Sequence, residues 1–308
     1  MKTTFFKLLL LLAAVLLLML GSCKKDNGAS NDTTSAADGT NVSAALSSTA
    51  DDVTNAVGND HSISGKTDGF GSLCGATVTV DSTNGIVTIT YSGDDCSGKV
   101  SRTGTLTITL EDFPTMHWKD AGATLSVNYN VIVTVNATNA QYAFNGTHYF
   151  TNITGGLGWK IMDNQSTGID SIKHTATNFN ITFPNGSQRT WSVSRSRTYR
   201  NINGVKSISI SGDTTIGNTV NVDAWGTNRF GEAFVSALSS EIVSNNTCGY
   251  FRPVSGEYMH HVANRTIDIL YGVDHLGNPE TGGACAYGYK ITYTKNNHTF
   301  TQIDSYVF

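Results

Sequence analysis

The five cysteines are the residues of this 308-residue chain whose type and spacing offer the most chemistry. Cys74, Cys96, Cys248 and Cys285 form an even set, and Cys23 stands apart from them behind an apolar run. A thiol can be acylated, oxidised to a disulfide or deprotonated to bind a metal, and its surroundings decide which. Other chemistry is sparse. The chain has no G-x-S-x-G elbow, no H-E-x-x-H and no G-x-x-x-x-G-K-[ST], so the commonest motif-bearing hydrolase and nucleotide-binding classes have no support. Five glutamates occur in all, and the only carboxylate pairs to propose for glycoside hydrolysis are Glu111 with Asp112 and Asp268 with Glu257. Most Asp residues here sit where turns use them. No cofactor motif is present, and no cofactor is expected.

Cys23 is explained by what precedes it. Lys2 and Lys7 lead into an uninterrupted apolar stretch from Leu8 to Leu20, followed by Gly21-Ser22-Cys23, the layout of a secretory signal peptide. The run is shorter than the ~20 residues a spanning helix needs. Leu20-Gly21-Ser22-Cys23 resembles the lipobox of bacterial lipoproteins, which implies that Cys23 is lipidated and becomes the mature N-terminus after residues 1–22 are removed. Several acyl chains hold a protein on a membrane stably where one does not. Loss of Lys2 and Lys7 takes the formal charge from −4 to −6, which disfavours a nucleic-acid partner.

The elements that must present the remaining residues follow from periodicity. Residues 23–40 contain no Leu, Ile, Val or aromatic residue after Cys23 and predict a flexible tether. Residues 41–66 predict a short amphipathic helix and linker, with Val42, Leu46, Ala50, Val53 and Val57 on one stripe and Gly58 at its end. From 67 to 308 the period becomes two. In Leu125–Val135 every odd position is apolar, and the same alternation recurs at Leu106, Ile108 and Leu110, at Phe179, Ile181 and Phe183, and at Trp191 and Val193. Four Asn-Gly pairs, beginning at Asn84, Asn145, Asn185 and Asn203, suit hairpin turns. The expected fold is all-β, an antiparallel meander or sandwich-like domain with one short N-terminal helix. Gly231–Val243 is the only other stretch that suggests a helical turn.

Turn geometry predicts how the cysteines pair. Four cysteines allow three pairings. A two-residue turn at Asn84-Gly85 sets Cys74 opposite Asp95, and a one-residue bulge brings it to Cys96. The second pair repeats the pattern: Val87-Thr88-Ile89-Thr90-Tyr91 before Cys96 parallels Ile267-Asp268-Ile269-Leu270-Tyr271 before Cys285, and Gly104–Ile108 parallels Tyr289–Tyr293. A duplicated Cys-hairpin module over about 74–110 and 248–295 therefore predicts Cys74–Cys96 and Cys248–Cys285. The alternative is a Cys/His metal site of Cys248, His260, His261 and Cys285, disfavoured because adjacent histidines in a strand face opposite ways.

The lipobox, the Cys-strand-Asn-Gly-strand unit, Gly93-Asp94-Asp95-Cys96-Ser97-Gly98-Lys99 and the Arg102-x-Gly104-x-Leu106-x-Ile108 strand together resemble β-rich outer-membrane lipoproteins of Bacteroidota. The similarity covers about 74–153, with an echo at 248–295. It implies an envelope location and carries over no catalytic residue.

One segment suggests binding. Alternation puts Trp191, Val193, Arg195, Arg197 and Tyr199 on one face of a strand, and such an aromatic and arginine stripe suits a glycan or a protein edge. The competing reading buries the Trp191 end and leaves the arginines in solvent beyond the sheet. The leading expectation is a non-enzymatic binding or scaffold lipoprotein of the cell envelope. Its alternatives are a polysaccharide hydrolase and an integral β-barrel, the last requiring an outward apolar belt.

Overall fold

A computed structural model of the chain describes residues 27–58, 60–65, 73–162, 168–250, 252–262, 265–295 and 298–306. Cys23 and the expected signal segment lie outside the described residues. No helix among the described residues is long and apolar enough to cross a membrane.

The first element is helix α1, Asn27–Gly58, of 32 residues and thus about 48 Å long. Its C-terminal half follows the expected stripe: Val42, Leu46, Ala50, Val53 and Val57 are all buried, and Gly58 is its last residue. The tether expected over 23–40 is overturned from Asn27 onward, since these residues are helical and Ser35, Ala36, Asp38 and Thr40 are buried. The apolar-burial criterion fails here because the segment is ordered by polar contacts. Ser35 Oγ lies 3.0 Å from His260 Nε2, and Arg229 Nε donates to Asp38 Oδ2 at 2.6 Å. A short helix α2, His61–Ser64, follows, its first turn capped by the Asp60 carboxylate and its end closed by Gly65 in the left-handed conformation.

The remainder is antiparallel sheet. In chain order the strands are β1 Ala76–Asp81, β2 Ile86–Asp94, β3 Val100–Leu110, β4 Thr124–Val135, β5 Ala140–Asn152, β6 Gly168–Thr182, β7 Gln188–Ile202, β8 Val205–Gly212, β9 Thr214–Ile216 and β10 Thr219–Thr227. They continue with β11 Ala233–Asn245, β12 Ser255–Val262, β13 Arg265–Val273, β14 Gly288–Lys295 and β15 His298–Ser305. A short helix α3, Gly158–Met162, lies between β5 and β6. The hydrogen-bonded order runs β1 through β7, then β10 through β15, while β8 joins the lower halves of β7 and β11. The chain is therefore an all-β fold in one open sheet, a meander rather than two stacked sheets.

Alternation sets which face is core. In β4, Leu125, Val127, Tyr129, Val131, Val133 and Val135 are buried, while Asn128 and Asn130 are exposed. Ile132, the one apolar residue out of phase, is exposed with them. The outward positions of β3 and β4 are otherwise Thr, Ser and Asn, so these strands form no lipid-facing belt of the kind an integral barrel requires. The inward face curls about α1. Tyr91, Tyr129, Tyr142, Tyr199 and Tyr271, from five different strands, all place their hydroxyls on α1 side chains.

Turn chemistry was only partly as expected. Asn203-Gly204 is a two-residue hairpin turn between Ile202 and Val205, with φ of 54° and 83° at the two central residues. Asn84-Gly85 instead closes a four-residue turn, because Asp81 pairs with Ile86 and its carboxylate accepts from the Thr83 and Asn84 amides. Asn145-Gly146 lies inside β5, where the register to β6 shifts and the strand bulges. The helical reading of Gly231–Val243 is also overturned. Ala233–Asn245 is strand β11, paired with β10, β8 and β12, because inter-strand bonding outweighs a local helical pattern.

The duplicated module is present in both covalent and hydrogen-bonded form. Cys74 joins Cys96 and Cys248 joins Cys285, each with Cα atoms 5.1 Å apart. Tyr91 pairs with Gly104 and Ile89 with Leu106 in the first copy; Tyr271 pairs with Tyr289 and Ile269 with Ile291 in the second. The two copies therefore share one register.

Candidate binding site

The site is built on the last turns of α1. Asp51 and Asp52 leave consecutive positions of the helix, about 100° apart around its axis. Each meets one arginine and one tyrosine. Arg197 Nη1 donates to Asp51 Oδ1 at 2.7 Å, and the Tyr199 hydroxyl donates to the same oxygen at 3.4 Å; alternation puts both side chains on the inward face of β7. Asp52 Oδ2 accepts from Arg102 Nη1 and, at 2.7 Å, from the Tyr91 hydroxyl, residues of neighbouring strands β3 and β2. In both sets the guanidinium lies over the tyrosine ring, 5.2 Å from its centre for Arg197 and 4.6 Å for Arg102.

Burial raises the pKa of both carboxylates, and their arginines oppose that shift. For Asp52 the neighbouring Asp51 charge adds to the rise. Each carboxylate thus spends one oxygen on an arginine and a tyrosine together.

Above this floor opens a cavity of about 560 Å³, within the size range of small-molecule sites. One wall is the Cys74–Cys96 disulfide with the turn between β2 and β3; the other is Cys248, Gly249, Tyr250 and Arg252, tied to Cys285 by the second disulfide. The duplicated modules thus meet across one space. Leu73, Met162, Ile208 and Tyr250 give it an apolar surface, and Lys99 and Arg252 add positive charge at its wall. A narrower recess of about 50 Å³ shares Ile208 and Tyr250 and runs along α1 past Ser47 and Arg197 to Tyr271.

The charges lining the cavity are unevenly matched. Asp51 and Asp52 are held by Arg197 and Arg102. Asp95 spends its carboxylate on its own turn, accepting from the Lys99 amide at 3.0 Å and the Ser97 hydroxyl at 2.7 Å. Arg252 donates Nη2 to the Ala286 carbonyl at 2.9 Å, which ties the two walls of the second module together. Among the described residues, neither Lys99 nor Arg252 has a carboxylate partner, and the buried Nε–H groups of Arg102, Arg197 and Arg252 have no acceptor.

The expected stripe is assembled but covered. Trp191, Arg195, Arg197 and Tyr199 do share the inward face of β7, yet each is at most 6% exposed. Trp191 and Arg195 make interior contacts, whereas Tyr199 lines the cavity and Arg197 lines the recess beside it. Trp191 donates Nε1–H to the Thr227 carbonyl at 2.8 Å and packs its ring against Phe234. Arg195 donates to Ser43 Oγ of α1 at 2.8 Å and, through Nε, to His174 Nδ1 at 3.3 Å. The alternative of solvated arginines beyond the sheet edge is equally overturned. Buried guanidinium groups need partners, and the helix supplies them, Ser43 to Arg195 and Ser47 and Asp51 to Arg197.

Arg195 also fixes the tautomers of two buried histidines. With Nδ1 accepting from Arg195, His174 carries its proton on Nε2 and donates it to His148 Nδ1 at 2.5 Å. Burial holds both rings well below the usual histidine range.

The metal alternative is not assembled, because Cys248 and Cys285 are bonded to each other while His260 and His261 diverge. His260 is buried between Ser35 and Ser236, and His261 lies on the outer side against Thr266. Of the carboxylate pairs, Glu111 and Asp112 are exposed turn residues, while Asp268 and Glu257 flank one another on β13 and β12 away from the cavity. The residues that sequence reasoning missed are Asp51, Asp52, Arg102, Lys99 and Arg252. Arg102 carried a readable sign: it stands in the inward phase of Leu106, Ile108 and Leu110, and a charge in that phase calls for a buried countercharge.

No protein-family model matches the chain, and no curated protein and no solved structure is significantly similar to it.

Proposed function

We propose that the chain is a lipid-anchored outer-membrane protein of the cell envelope that binds a ligand in the cavity between its two disulfide-closed walls and does no chemistry on it. The observation that carries the reading is the cavity itself, a space of about 560 Å³ with apolar walls and unmatched cationic groups. Two disulfides brace its walls, so its shape is set before a ligand arrives, which lowers the ordering cost of binding. Asp51 and Asp52 are each held by an arginine and a tyrosine and Asp95 by its own turn, which supports binding over hydrolysis.

Native mass spectrometry of the mature protein isolated from envelope membranes tests the binding reading. A small molecule retained by the wild-type chain and lost from Leu73→Trp, which narrows the cavity from a half-buried position, is the expected result. Retention of nothing, together with cleavage of an envelope polysaccharide that Asp51→Asn abolishes, would replace it with the hydrolase reading. Radiolabelled palmitate incorporated by the wild type and absent from Cys23→Ser tests the anchor.

A further inference from the structure

We infer that the ligand of this cavity is an amphiphile with a single oxyanion head, a carboxylate or a phosphate monoester, and an apolar tail. The inference rests on the binding reading above and narrows it to a chemical class.

Three observations converge. The first is charge: once Asp51 and Asp52 are assigned to Arg197 and Arg102, and Asp95 to its own turn, Lys99 and Arg252 remain, among the described residues, as cations without a carboxylate. The second is hydrogen bonding. Among the described residues Arg252 makes one side-chain hydrogen bond, from Nη2 to the Ala286 carbonyl, and Lys99 Nζ makes none, so Nη1 of the one and Nζ of the other are donors left open at the cavity wall. Cationic donors make their strongest bonds to ionised acceptors, so an oxyanion is the species these positions favour. The third is shape: Leu73, Met162, Ile208 and Tyr250 offer apolar surface beside these cations, and the recess toward Tyr271 continues it along α1. A free inorganic anion would leave that surface wet, and a neutral hydrocarbon would leave the donors unmatched.

The test uses the full chain carrying Cys23→Ser, a change outside the described residues that removes the expected acyl chains from the sample. Calorimetric titration compares octanoate, octyl phosphate, 1-octanol and octylamine, and thermal unfolding is followed with each. Octanoate or octyl phosphate is expected to bind about tenfold or more tighter than octanol and octylamine, the loss that follows from one charge-assisted bond. Whichever of the two anions wins assigns the head as fatty-acid-like or phospholipid-like.

Lys99→Gln, an exposed site whose loss spares the fold, and Arg252→Gln are each expected to weaken the anionic probe about tenfold and leave octanol unchanged. Arg252→Lys, which keeps the charge, is expected to retain the anion preference. Octanol or octylamine binding as tightly as the anions would overturn the oxyanion head while leaving the cavity in use. No probe binding in a protein that still retains a native ligand by mass spectrometry would overturn the amphiphile class. Neither probe nor retained ligand would overturn the binding reading itself.

Discussion

Asp51 Oδ1 of the N-terminal helix and Arg197 Nη1 of a central strand lie 2.7 Å apart, with the arginine side chain 7% exposed. This contact and its neighbours, Asp52 with Arg102 and Asp38 with Arg229, mean that α1 is held inside the sheet by three charge pairs at two levels. Each aspartate also accepts from a tyrosine hydroxyl of the sheet. A helix rich in Ser, Thr, Ala and Asp suits that place. Small side chains let the sheet close around it, and their polar atoms meet the tyrosine, arginine and histidine tips that line the inward face.

Removing one partner of the Asp51–Arg197 pair is expected to be costly. Asp51→Ala leaves the buried Arg197 without its countercharge and is expected to lower stability by about 3 kcal/mol. The double variant Asp51→Leu/Arg197→Met is expected to recover most of that loss. Guanidinium unfolding of the three chains checks both, and a single variant within ~0.5 kcal/mol of wild type would contradict the buried-pair account.

Deletion of residues 27–40 distinguishes a tether from a packed helix. A tether can be shortened with no effect on folding, whereas this segment buries Ala36 and supplies Ser35 and Asp38 to His260 and Arg229. The truncated protein is expected to lose at least ~3 kcal/mol, since Arg229 and His260 lose buried partners together. Urea midpoints and limited proteolysis would register the change.

The two disulfides are expected to contribute separately. They span 22 and 37 residues, for which loop-closure entropy gives roughly 3–4 kcal/mol each. Cys74→Ser/Cys96→Ser and Cys248→Ser/Cys285→Ser should each lower the unfolding midpoint. Each should also weaken ligand retention, because each releases one wall of the cavity. A double-serine chain that melts with wild type would show that its loop is held by the sheet alone.

Acidification acts through the buried histidines. Burial depresses the pKa of His260 to about 3, against about 6.5 in an unfolded chain. Between these values the unfolded state takes up a proton that the folded ring refuses. Stability from this group is therefore present above pH 6.5 and falls as the pH drops toward 3, by ~2 kcal/mol at pH 5. His148 and His174 act in the same sense. Asp223, pushed up to about 6 by burial, acts oppositely, its protonated form favouring the fold below that pH. His260→Gln removes one of these titrating rings, so its urea midpoint should lose less between pH 7.5 and pH 5 than that of wild type; equal losses would contradict the assignment.

Much of the sheet was legible because alternation is a local property. The inward phase of Leu125–Val135 and the shared register of the two modules could be read along the chain, since a strand's faces follow from its own residues. Cys74 does pair with Cys96 and Cys248 with Cys285, but the two-residue turn that predicted the first pair is a four-residue turn, so the expected register was off by two residues. The Asn-Gly turns were less secure, as Asn145-Gly146 shows, because the dipeptide permits a positive φ without saying whether the chain turns there or bulges.

What the sequence by itself determined is therefore the period, the phase and the covalent staples of an antiparallel all-β chain. The tertiary structure decided where the polar residues went. Helix α1 reaches back to Asn27 and so runs to 32 residues because Arg229 and His260 from distant strands meet its Asp38 and Ser35 side chains. The stripe at Trp191–Tyr199 became interior for the same reason. Apolar burial can be anticipated from local composition, but a buried charge is stable only beside its partner. Which partner that is depends on how the whole sheet curls.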